Sequence, residues 1–205
     1  FGGVLGVTTA KDAAERKLPI VAPEGFMEEA TSENVLVGTG MARRSMYQFG
    51  KNLPRSAKGN VDTGLGKDVV YGLPAILPPT VLIDKPDQPM VLDGVDFIFH
   101  NVPNAESPAE LSFSIPDKKL YDGAENLAQT MHNLLPIRGA KVRDSLRWST
   151  YMEQALEHVK DADVYIASHN WPIWGNDRIK EFITKHRDVY KYTHDQTVRL
   201  INAGH

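Results

Sequence analysis

Apolar positions in this chain change period several times, and the changes mark its elements. In "KLPIVAPEGFMEEA" a short apolar run predicts a strand around residues 19–22. A turn follows at Pro23-Glu24-Gly25, and a helix opens at Phe26. A second helical pattern covers roughly residues 33–49. Residues 52–79 differ, with many glycines and prolines and little periodicity. Such a stretch inside a compact domain is usually functional or disordered, and scaffolds carry their sites on loops, which favours the functional reading.

Strand-like runs come next, at residues 80–83, 90–92, 95–102, 110–115 and 119–123, separated by turn signals such as Asp93-Gly94 and Pro116-Asp117. A helix is predicted over 142–161, with Val142, Leu146, Met152, Leu156 and Val159 on its core face. Residues 163–168 form the last predicted strand. Residues 176–203 read as one or two helices. Their apolar Ile179, Phe182, Ile183, Tyr190, Val198 and Ile201 have no evident partner in the chain, so a second chain or a further domain is expected to cover them. Strands and helices interspersed with hairpins predict the α/β class with a mixed sheet.

Bulk properties then narrow the function. The 205 residues suffice for one good-sized domain and the start of another. A net charge of −3 gives no reason to expect nucleic acid or an anionic membrane, and no apolar run is long enough to predict a transmembrane segment. The chain has no cysteine, which removes disulfides, thiol nucleophiles and thiolate metal sites together. Any metal must sit on His, Asp or Glu, a donor set that suits zinc, manganese or iron. The chain opens on Phe1-Gly2-Gly3 and closes on "RLINAGH", a helical pattern cut at a glycine, so a fragment is expected.

Three constellations carry candidate chemistry. Glu106 follows the 95–102 run, Glu125 follows the 119–123 run, and His169 ends the 163–168 run within "DVYIASHNWPIWG". Strand ends in layered α/β proteins converge while their loops stay open, which makes these three possible ligands of one site. Taken singly, each has a plainer reading: a solvated glutamate, a glutamate favouring a helix start, and a core histidine or proton shuttle. The second group is His132, Asn133 and Arg138 in "MHNLLPIRGAKVRD", where amide and guanidinium donors suit an anionic oxygen cluster. Against it, Arg138 and Arg143 are expected to pair with Asp144 or nearby surface acids. The third is "GNVDTGLGK", residues 59–67. It lacks the Ser or Thr that a nucleotide-binding loop needs after its lysine, but its glycines let backbone N–H groups approach a tetrahedral oxyanion. Trp171, Trp174, Phe26 and Met27 read as core before they read as substrate wall.

Taken together, "IVAPEGFMEEATSENV", "NLPRSAKGNVDTGLGK", "NAESPAELSF", "MHNLLPIRGAKVRDSLRWSTYMEQAL", "ASHNWPIWG" and "HRDVYKYTHDQTVRLINAGH" resemble, in this order, the alkyl sulfatases of the metallo-β-lactamase superfamily. The resemblance runs over nearly the whole chain. It implies part of an αββα catalytic domain over residues 1–175 and the first helices of a dimerisation domain over 176–205.

It also implies two zinc ions per subunit, with Glu106 on one, Glu125 bridging both and His169 on the second. Sulfate would be cradled by Asn60, Gly64, Leu65, Asn133, Arg138 and Asn170, with His132 as proton donor to the leaving group. The aromatic residues near His169 would form pocket wall. A metal-activated water would cleave dodecyl sulfate-like esters to alcohol and sulfate, in a periplasmic or secreted homodimer. The H-x-H-x-D-H ligand motif of the family occurs nowhere in these residues, and the resemblance places it just upstream of Phe1. The fragment alone is therefore expected to bind zinc poorly and to turn nothing over. Another hydrolase of the superfamily and a non-catalytic binding or dimerising relative are the alternatives.

Overall fold

The computed structural model describes residues 2–63, 66–67 and 75–205. The chain divides into two compact units, Phe1–Leu82 with Leu135–Ala140, and Ile83–Leu134 with Lys141–His205.

The first unit carries short helices. A 3-10 turn at Gly2–Gly6 precedes α1 (Ala10–Glu15), which sequence periodicity did not predict. It starts where Thr9 caps it, the hydroxyl accepting the Asp12 N–H at 3.0 Å. Strand β1 (Val21–Pro23) pairs with β2 (Val81–Ile83). Gly25, at φ 78°, turns the chain into α2 (Phe26–Thr31). The helix expected over 33–49 is interrupted: a π-helical turn, Ser32–Leu36, comes before α3 (Gly38–Gln48). The described part of 52–79 holds neither helix nor strand, and Gly64 and Leu65 lie outside the described residues.

The second unit is built on a six-stranded sheet of β3 (Gln88–Leu92), β4 (Val95–Asn101), β5 (Leu111–Ile115), β6 (Leu120–Asp122), β7 (Val164–Ile166) and β8 (Ile173–Trp174), in that spatial order. All neighbours are antiparallel except β6 and β7, which run parallel with Tyr121 opposite Tyr165. The mixed α/β class is as predicted. The parallel pair needs a crossover, which α4 (Ser145–His158) supplies before α5 (Asn176–Asn202) packs on it.

Helix α4 begins three residues later than its apolar pattern suggested. Asp144 caps it, its carboxylate accepting the Arg147 N–H at 2.9 Å. Its core face is Ser145, Trp148, Ser149, Met152 and Ala155. Of the predicted stripe, Val142 lies before the helix at 71% exposure and Leu146 is 38% exposed, whereas Met152 and Val159 are buried and Leu156 packs against the core. On that face the Ser145 hydroxyl donates to Tyr190 O at 2.6 Å. Trp148, Met152, Val159, Tyr121, Tyr165, Ile179, Ile183 and Tyr190 form the core, each almost wholly buried. Ile179, Ile183 and Tyr190 thus find partners on α4 within this chain, contrary to expectation. Val198 and Ile201, farther along α5, stay exposed.

Candidate metal centre

Strand direction explains the convergence of the candidate ligands. β4 is antiparallel to β5, β5 to β6, and β6 is parallel to β7, so β4, β6 and β7 all point the same way. Glu106, Glu125 and His169 each follow one of these three ends. The turn after β6 is tied down locally. Gly123 N–H donates to Ile166 O (2.9 Å), Ala124 N–H to Asp122 Oδ1 (2.7 Å), and Ser168 N–H to Ala124 O (3.1 Å). Ala124 takes a left-handed φ of 48°, which sends the chain sharply from strand to Glu125.

Glu125 Oε1 lies 2.9 Å from His169 Nε2, and its Oε2 lies 3.9 Å from His132 Nε2. His132 Nε2 is also 3.5 Å from Glu106 Oε1. One ligand atom each from Glu106, Glu125 and His132 falls within 4.8 Å of the others. The His132 ring rests on Trp148, and its backbone N–H donates to Tyr190 Oη at 2.8 Å. Structure therefore joins His132 to the three strand-end residues, whereas its neighbours in sequence fare differently.

Two contributors escaped sequence reasoning. Arg143 does not pair on the surface as expected. Its side chain is buried, donating to the Glu106 carboxylate and backbone oxygen and, at 2.9 Å, to both Asn133 O and Asn133 Oδ1. Glu110, just before β5, is the other. Burial, then the charge of Glu106, pushes its carboxyl well above the usual range, with Glu125 adding to the effect. Neither had a local signal, since Arg143 meets Glu106 across 37 residues.

The other expected site residues fall in both units. In the first unit, Asn60 is buried and already committed: Nδ2 donates to Phe49 O (2.6 Å) and Gly50 O (3.0 Å), and Oδ1 accepts from Arg55 (3.1 Å). Both amide hydrogens are thereby used. Arg138, in the same unit, has its N–H on Gln48 Oε1 (3.2 Å) and its Nη2 3.9 Å from Glu33 Oε1. In the second unit Asn133 and Asn170 are exposed, Asn170 at φ 73°. Trp171 and Trp174 are 85% and 58% exposed, so they are not the core residues their composition suggested.

A divalent cation fits this donor set. Glu106, Glu125 and Glu110 gather three carboxyl groups, and the buried guanidinium of Arg143 contacts Glu106. Carboxylate oxygens and an imidazole nitrogen within 4.8 Å of one another suit a divalent cation of hard to borderline character.

No protein-family model matches the chain. Among curated proteins it is 42% identical to alkyl/aryl-sulfatase BDS1 of Saccharomyces cerevisiae and 42% identical to a linear primary-alkylsulfatase of Pseudomonas sp., in both over 100% of its own length. It is 40% identical to an (R)-specific secondary-alkylsulfatase of Pseudomonas sp.. The chain spans about a third of the length of these relatives, 32%, 31% and 31% respectively. Among solved structures, the stereoselective inverting sec-alkylsulfatase Pisa1 from Pseudomonas sp. superimposes with a TM-score of 0.95 at 39% identity, covering 100% of this chain and 33% of Pisa1. The chain is similar to these alkylsulfatases along all of its own length.

Proposed function

We propose that the full-length protein hydrolyses alkyl sulfate esters of the dodecyl sulfate kind to an alcohol and sulfate, using two zinc ions. Glu106, Glu125 and His169 would hold them, with the remaining ligands contributed from outside these residues. One observation carries this reading: carboxylates and imidazoles that follow parallel strand ends converge, with Glu125 Oε1 2.9 Å from His169 Nε2 and one ligand atom each of Glu106, Glu125 and His132 within 4.8 Å of the others. Bound there, the ions would supply positive charge to the sulfate oxygens and lower the pKa of water.

The residues of this chain have their own tasks. Arg143 orients Glu106 through a buried, charge-assisted contact and fixes Asn133 with the same guanidinium. His132 is the proposed proton donor, its Nε2 at the edge of the carboxylate group, its ring beside Trp148 and its backbone N–H held by Tyr190 Oη. The leaving-group oxygen would take that proton. Sulfate is assigned to Asn133, Arg138 and Asn170 on the family resemblance. Asn60, with its amide hydrogens donated to carbonyls, is proposed to shape its loop. Exposed Tyr192, Val198, Leu200 and Ile201 on α5 support a dimerising role for that helix.

Dodecyl sulfate turnover and metal content of the full-length protein test the proposal. Glu125→Ala should lose bound zinc and at least about 100-fold in kcat/KM, in line with loss of an electrostatic contribution of that class. Unchanged turnover would remove the centre from the chemistry. Activity on other esters but none on alkyl sulfates would favour a different hydrolase of the superfamily.

A further inference from the structure

A second group of imidazole and carboxylate donors lies elsewhere in the same unit. Asp87 stands in the bend before β3, His100 on β4, and His158 is the last residue of α4. One ligand atom from each falls within 4.8 Å of the other two. His100 Nδ1 is 2.6 Å from Asp87 Oδ1, and His158 Nε2 is 3.7 Å from the same oxygen. The two imidazoles are stacked, with centroids 3.8 Å apart and planes 20° from parallel. Ligand atoms about 2.0–2.1 Å from a tetrahedral ion stand about 3.3 Å from one another. The two nitrogen–oxygen separations lie on either side of that value, and the stacked rings have to open by about 1 Å for both nitrogens to reach one ion, which the partly exposed His158 side chain allows.

Support on the far side of the His100 ring strengthens the case. Its Nε2 lies 2.9 Å from Ser114 Oγ. A hydroxyl can donate or accept, so Ser114 can hold either tautomer. With the proton on Nε2, Nδ1 is free to bind an ion while the ring keeps its orientation. Access also fits, because the His100 side chain is 4% exposed and that of Asp87 57%, leaving a solvent-facing position for water. This group is separate from the centre around Glu125. His158 is ten positions along α4 from Trp148, on which His132 packs, a rise of about 15 Å.

We propose that Asp87, His100 and His158 form a second metal site for a zinc-type divalent transition-metal ion. It ties the bend before β3, the end of β4 and the end of α4 to one another. The inference is independent of the sulfatase reading.

The test is a zinc titration of full-length protein stripped with chelator, followed calorimetrically and by metal analysis, for the parent, Asp87→Ala and His158→Ala. Repeating all three in a Glu125→Ala background separates this site from the other centre. Each variant should lose one zinc equivalent in both backgrounds. Affinity at this site should fall by more than the roughly 10–100-fold that loss of an outer-shell partner costs. Asp87 is exposed, so Asp87→Ala leaves the core intact, and circular dichroism verifies the fold. Equal zinc content in the parent and both variants would overturn the proposal, as would zinc uptake here only at millimolar concentration.

Discussion

His169 Nε2 lies 2.9 Å from Glu125 Oε1 although 44 residues separate them. The pairing is a consequence of β6 and β7 being parallel neighbours, with Asp122 opposite Ile166. Two side chains that follow the same end of two adjacent strands have little choice but to meet. Between them, the crossover through α4 is anchored by Trp148, whose indole N–H donates to Asn126 O at 2.6 Å. The meeting therefore rests on sheet pairing and core burial rather than on loop conformation.

Arg143→Met tests the buried cation. Arg143 and Glu106 are 7% and 9% exposed at their side chains, and removing the guanidinium strands the carboxylate. Breaking such a pair costs about 3–5 kcal/mol. Urea unfolding of the metal-free full-length protein should register that loss, and saturating zinc should recover part of it by supplying replacement charge. A change of under about 1 kcal/mol would mean that Glu106 is solvated after all.

Gly123→Ala tests the turn that delivers Glu125. A Cβ there would stand 2.9 Å from Leu127 Cβ and 2.9 Å from Tyr165 Cζ, and would collide with the Tyr165 hydroxyl. Leu127 and Tyr165 are fully buried and cannot retreat. Overpacking of this sort costs about 1–3 kcal/mol. In a Tyr165→Phe background, where the hydroxyl is gone, Gly123→Ala should cost measurably less. Additive costs in a double-mutant cycle would show that the clash is not with Tyr165.

The buried histidine predicts a pH dependence. Burial, then the neighbouring His158, lowers His100 from 6.5 to about 4, while Asp87 opposes the shift. The folded state thus holds this imidazole neutral where the unfolded chain protonates it. The stability from this group is complete above pH 6.5 and is lost as pH falls from there through about 4. The loss amounts to about 3 kcal/mol at most. Chelator-treated protein should show this slope in urea midpoints, and His100→Gln should flatten it.

Periodicity located most elements of the second unit within a few residues, because half-buried strands and one-sided helices must repeat every two or 3.6 residues. It failed where that link weakens. Ile173–Trp174 of β8 is too short to show a period, and Ala10–Glu15 of α1 buries a single alanine. On α4 the core face includes Ser145 and Ser149, which no hydrophobic pattern would select.

The sequence by itself determined the α/β class, a metal chemistry restricted to His, Asp and Glu, and the position of Glu106, Glu125 and His169 after strands. Only tertiary structure decided that these strands point the same way, that Arg143 is buried against Glu106, that Glu110 is crowded by its neighbours, and that Asp87, His100 and His158 meet. The reason is physical. Propensity and periodicity act over a turn or a strand, whereas electrostatic contacts form wherever sheet register and helix packing place charges a few ångströms apart.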